Sequence, residues 1–115
     1  MAGSFRTAEG ETHPDLRPVR VPQRREEVFS EARNLAGELP GWRIVEEDEP
    51  GGILVCEREG TFLAPPSRVT LTFESPPGIP STTVHAESVS RGWSLLARDR
   101  ARLLHFLRLF RRRVG

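Results

Sequence analysis

Four runs with strand character follow one another from Trp42 to Ser90, separated only by short Pro- and Gly-rich breaks, and this limits the fold more than any other feature. The runs are Trp42–Glu46, Ile53–Arg58, Arg68–Glu74 and Thr82–Ser90. The third alternates cleanly, with Val69, Leu71 and Phe73 on one side and Thr70 and Thr72 on the other. The fourth sets Val84, Ala86 and Ser88 against His85, Glu87 and Val89. A period of two marks a strand with one face buried. Connections this short cannot carry parallel crossovers, so the strands are expected to be antiparallel. Pro50-Gly51-Gly52 and the segment Ser75–Pro80 read as turns. Gly60–Ser67 reads as a loop in which Phe62 and Leu63 are apolar plugs.

Helical periodicity flanks this block. Pro22 is placed to open a helix, where a missing N–H is not needed. Val28, Phe29, Ala32, Leu35, Ala36 and Leu39 follow as one apolar stripe, and Pro40-Gly41 ends it. Glu26 and Glu27 sit early in that helix, where its dipole favours anions. A second helix is expected over about 95–112. Ala97, Ala101, Leu103, Leu104, Phe106, Leu107 and Phe110 form its broad apolar arc, and Leu109 lies outside it. Leu16–Val21 alternates briefly, and Pro18 confines it to an edge. The expected order is β-α-β-β-β-β-α. This is a single α+β two-layer domain over residues 16–115, with a four- to five-stranded antiparallel sheet and both helices on one face. Residues 1–15 are polar or small, lack periodicity, and are expected to form a flexible tail.

Charge is unevenly placed. From Arg91 to Gly115 there are eight arginines and one acid, a net +7, while the whole chain is +1, so residues 1–90 carry −6. All seventeen basic residues are arginine. Such usage fits a GC-rich genome, although arginine also suits bidentate recognition of carboxylate or phosphate. Three readings of the last helix stand side by side. It is a core helix with a solvated cationic face, or it docks on an acidic protein, or it meets an anionic surface such as lipid or nucleic acid. The docking residues would be Arg108, Leu109, Arg111, Arg112 and Arg113. Nucleic acid is disfavoured, because RNA readers set aromatic platforms among their cations and only Trp93 is near.

Signs of chemistry are sparse. Cys56 is the sole cysteine, so no internal disulfide can form, and a reducing, cytoplasmic setting is expected. It alternates with Leu54 and reads as a buried small hydrophobe. His13, His85 and His105 are isolated, and none has zinc-ligand spacing with the cysteine. His85 and Glu87 share a strand face and could act as an acid–base pair, though such pairs are also routine decoration of a solvated face. Glu46, Glu47, Asp48 and Glu49 could attract a hard cation but lack a calcium-loop pattern. No phosphate loop or nucleophile elbow occurs, and no stretch approaches the ~20 apolar residues that span a bilayer. The N-terminus shows no secretory signal pattern. No cofactor, metal or catalytic residue is expected.

The segment from Trp42 to Phe110 resembles a bacterial and plastid family known as domain of unknown function family 1499. Its members show a helix, a "gW-i" strand, a hairpin, two further strands and a signature close to S-x-S-R-x-G-x-x-D-x-G-x-N-x-x-R before an apolar helix. Ser88-Val89-Ser90-Arg91-Gly92 matches the start of that signature, one residue short between Arg and Gly, and Arg102 matches its later arginine. Leu95, Ala97 and Asp99 stand where the family has Asp, Gly and Asn. The resemblance implies the α+β fold and carries no activity. The resulting expectation is a non-enzymatic accessory or interaction domain of a bacterial protein, either a small subunit docking on a larger assembly or a homo-oligomer. The alternative is a lipid-like ligand site between the sheet and the last helix, lined by Trp42, Phe73, Trp93 and Phe106.

Overall fold

The computed structural model describes residues 4–6, 18–59, 66–90 and 99–114. In chain order the elements are β1 (Ser4–Arg6), β2 (Val19–Val21), α1 (Arg25–Glu38), β3 (Trp42–Asp48), β4 (Ile53–Arg58), β5 (Ser67–Glu74), β6 (Thr82–Ser90) and α2 (Asp99–Val114). All strand pairs are antiparallel and run β6-β5-β4-β3 across the sheet. β2 pairs with Thr82–Val84 and β1 with Glu87–Val89, so the two short strands share the free edge of β6 end to end. The sheet is therefore five strands wide, and the α+β arrangement expected from the sequence is the one observed. β1 lies within the segment expected as a tail; residues 1–3 and 7–15 of that segment lie outside the described residues.

One face of the sheet makes the core. Leu54 and Cys56 of β4, Val69, Leu71 and Phe73 of β5, and Val84 and Ala86 of β6 are buried there. They meet Val28, Phe29, Ala32, Leu35 and Ala36 of α1 and Leu103, Phe106, Leu107, Phe110 and Val114 of α2. Both helices thus bury a stripe at spacings of three and four against the same layer. Thr82 is fully buried, and its Oγ1 donates to the Gln23 carbonyl at 2.8 Å. The Gln23 Nε2 in turn donates to the Val114 carbonyl at 2.8 Å. This caps the last turn of α2, whose terminal carbonyls have no partner within the helix. Gln23 therefore ties β6, the start of α1 and the end of α2 together at one end of the molecule.

Two local expectations change. α1 begins at Arg25, so Pro22 lies ahead of the helix and not in its first turn. The Gln23 contacts hold this approach in place instead. β3 extends through Glu46, Glu47 and Asp48 rather than stopping at the acids. It does so as the edge strand, with a bulge at Val45, where the register slips between Ile44 and Glu46. A bulge and a row of acids are both devices that discourage pairing with a further strand. Among the described residues no helix is long and apolar enough to cross a membrane.

Candidate interaction surface

α2 sorts its residues by helical angle. Leu103, Phe106, Leu107, Phe110 and Val114 face inward, while His105, Arg108 and Arg112, at spacings of three and four, form an exposed stripe. Six arginines and Asp99 in this sixteen-residue helix give it +5. α1 beside it carries four glutamates and two arginines, −2. Glu27, Glu31 and Glu38 of α1 recur at spacings of four and seven, which places them on one side of that helix. The Arg113 guanidinium reaches across to bond the Glu38 carboxylate. Arg111, Arg112 and Arg113 also suit the negative end of the α2 dipole.

The expected docking residues therefore separate. Arg108 and Arg112 share the outward stripe, Arg113 turns toward α1, and Arg111 is half buried. Leu109, expected to stand clear of the core, is half buried and packs on the core margin. The stripe Glu27, Glu31 and Glu38 was not anticipated, though its i, i+4 spacing is readable in the sequence.

The rings expected to line a ligand site pack in the core. Phe106 is fully buried and stacks on Trp42 with centroids 4.8 Å apart, and on Phe110 at 6.1 Å. Phe73 is buried against Phe29, tilted, at 5.1 Å. Trp93, Phe62 and Leu63 lie outside the described residues.

Among the described residues the opposite face of the sheet is mostly polar and partly exposed, with Val55 buried in it. Arg43, Glu57 and Arg68 stand in one row across β3, β4 and β5. Arg43 Nη2 and Arg68 Nη2 each donate to a Glu57 carboxylate oxygen at 2.7 Å. Hydrogen bonds from Arg68 and then Arg43 hold the Glu57 carboxyl below its ordinary pKa. Farther along the same face lies a hollow lined by Thr70, Thr72, Glu74, His85 and Glu87. His85 and Glu87 share that face as the alternation required, and the imidazole also lies beside Glu74, with His85 Nε2 3.4 Å from Glu74 Oε2.

The acids of β3 do not converge. The bulge puts Glu47 in register with inward-facing Leu54, and Glu46 with Val55 on the other face. Glu47 comes within 3.8 Å of Arg33 of α1. Among the described residues no three His, Cys, Asp or Glu side chains gather to hold a metal ion. Cys56 is fully buried, and burial, with a smaller push from the Glu47 charge, raises its thiol pKa to about 12. Thiolate is the reactive form, so a thiol-directed disulfide reagent is expected to label Cys56 only at the rate of global unfolding. Labelling of native protein within seconds would show that the thiol is reachable. No protein-family model matches this chain, and no curated protein matches it in sequence.

Proposed function

We propose that the domain is a non-enzymatic accessory module that docks on a larger bacterial assembly, meeting an acidic protein surface through α2. The observation that carries this is the outward stripe His105, Arg108 and Arg112, on a helix whose opposite side is fully committed to the core. A cationic stripe on a rigid helix steers and orients an acidic partner without having to be ordered on binding. The Trp42–Phe106 and Phe29–Phe73 contacts occupy space that an apolar ligand would need between sheet and helices, which favours docking over ligand carriage. Buried Cys56 suits a reducing, cytoplasmic setting.

The test is a double variant, Arg108→Gln with Arg112→Gln, compared with the native chain in affinity capture from host extract at rising salt. Exposed charges contribute about 0–1 kcal/mol each to folding, so the melting temperature should move by no more than a few degrees. The partner retained by native protein should be released at markedly lower salt by the variant. Full retention by the variant, or no partner retained by native protein at moderate salt, would count against docking through this stripe. Arg113→Gln alone should act differently, since it breaks an internal pair with Glu38. It is expected to affect stability slightly and capture hardly at all.

A further inference from the structure

Polar residues interrupt the core at one end of the sheet. Alternation along β4 puts Arg58, two positions after Cys56, on the helix-covered face with Leu54 and Cys56. Its neighbours in register are Trp42 of β3 and Ser67 of β5, and Ser67 in turn faces Ser90 of β6. Ser67 is buried, as is Ser88 one row farther in. Arg58 as a residue is partly exposed, but its Nη1 is shut off from water and has no hydrogen-bond partner. It is the sole buried side-chain nitrogen or oxygen of this kind among the described residues. A buried guanidinium nitrogen without an acceptor is costly, and folded proteins pair such groups. The acids beside it in sequence point elsewhere. Glu57 faces the other side of the sheet, where Arg43 and Arg68 hold it. Glu59 is exposed, and its N–H continues the pairing with β3 by donating to the Gly41 carbonyl at 2.8 Å, so alternation turns it the same way as Glu57.

The last helix adds positive potential at the same end. The Val114 carbonyl is tied through Gln23 to Thr82, the first residue of β6, so α2 finishes over the start of that strand. It lies over β2 and β1, which pair with the start and the end of β6 respectively. Its N-terminal half therefore points toward Ser90, the end at which Arg58 and Ser67 stand. A helix N-terminus carries unpaired N–H groups and the positive pole of the dipole. We propose that Arg58 anchors a small-anion site at this end of the core, binding the phosphate or carboxylate group of a small molecule. The two groups share the chemistry that matters here, a compact array of anionic oxygens that a guanidinium fork pairs with. The buried hydroxyls of Ser67 and Ser88 keep the surroundings polar. This site is separate from the α2 stripe and does not depend on docking there.

Thermal unfolding of the full chain in inorganic phosphate, in acetate, and in chloride of matched ionic strength tests this, over about 1–100 mM, the affinity range of ligands this small. An ion that binds only the folded state raises the melting temperature. Phosphate or acetate should raise it by several degrees over chloride, and the larger rise tells which group the site prefers. Arg58→Met keeps an apolar stem and removes the charge. In chloride it should melt no lower than native protein, because the charge removed has no partner, and its response to the oxyanion should vanish. The Arg108→Gln/Arg112→Gln variant should respond like native protein. In native protein the amide signals of Arg58 and Ser67 should shift with the same oxyanion and stay in place with chloride, a readout that needs no variant to fold. Melting of Arg58→Met below native protein in chloride would show that the guanidinium is paired within the chain, with Asp99 at the head of α2 as the acid at that end, and would overturn the proposal. It is overturned equally by no response beyond that of chloride, by a response retained in Arg58→Met, or by one lost in the α2 variant.

Discussion

Phe106→Ala is expected to remove about 3–5 kcal/mol of folding stability, the cost of emptying a buried phenylalanine site. The ring is fully buried and stacked between Trp42 and Phe110. Its position explains why the loss should lie at the upper end. α2 lies mainly over β6, β1 and β2, on one side of the sheet, whereas Trp42 begins β3 at the far edge. Phe106 therefore links the last helix to the opposite side of the domain through one aromatic contact. A domain of this size holds about 5–15 kcal/mol in total, so the melting temperature should fall by more than about 12 °C. Phe106→Leu keeps most of the volume and should cost about 1–2 kcal/mol. Thermal unfolding followed by circular dichroism distinguishes them. A fall under about 3 °C for the alanine variant would show that the stack is not part of the core.

What the sequence disclosed is what is encoded locally. The alternation of Val69, Leu71 and Phe73 and the three-four stripe from Val28 to Leu35 state their own period, and period fixes which side chains turn inward. β1 could not be read that way. Ser-Phe-Arg is too short to show a period, and it becomes a strand only because residues 87–89, some eighty positions later, offer an open edge. The bulge at Val45 was invisible for a related reason. Its effect, turning Glu47 toward Arg33, appears only once β3 has been paired with β4.

The candidate surface was legible as composition but not as direction. Arg111, Arg112 and Arg113 are consecutive, and consecutive helical residues point about 100° apart. The three therefore leave the helix in different directions. Arg112 joins Arg108, while Arg113 meets Glu38. The acid that Arg113 meets is thus on α1, Glu38, and not in the run Glu46–Glu49 that dominates the sequence by density. The surroundings of the aromatic candidates were likewise not readable from composition. Composition singled out Phe73, but its actual partner, Phe29, sits on a helix 44 residues earlier and only the packing joins them.

Gly52→Ala should be the most damaging of the glycine substitutions in the described structure. Gly52 sits at the end of the β3–β4 turn with φ +71, a region that costs an L-residue about 1–2 kcal/mol. Strain is only half the effect. A Cβ built there would stand 2.5 Å from the Phe73 carbonyl oxygen, which is backbone and cannot swing aside. That approach is enforced by the Phe73 N–H, which donates to the Gly52 carbonyl at 2.8 Å, so relieving the clash requires pulling the hairpin away from β5. The expected loss is at least about 2 kcal/mol, a fall of roughly 8 °C or more. Gly78→Ala separates the two causes. Its φ is +75, but nothing lies within 4 Å of the added carbon, so only the strain of about 1–2 kcal/mol should appear. Gly37→Ala tests the opposite sign. It lies within α1 with open space around the new methyl, and it should stabilise by about 0.5–1 kcal/mol through helix propensity. If Gly52→Ala melts no lower than Gly78→Ala, the close approach of the hairpin to Phe73 is not what holds that turn.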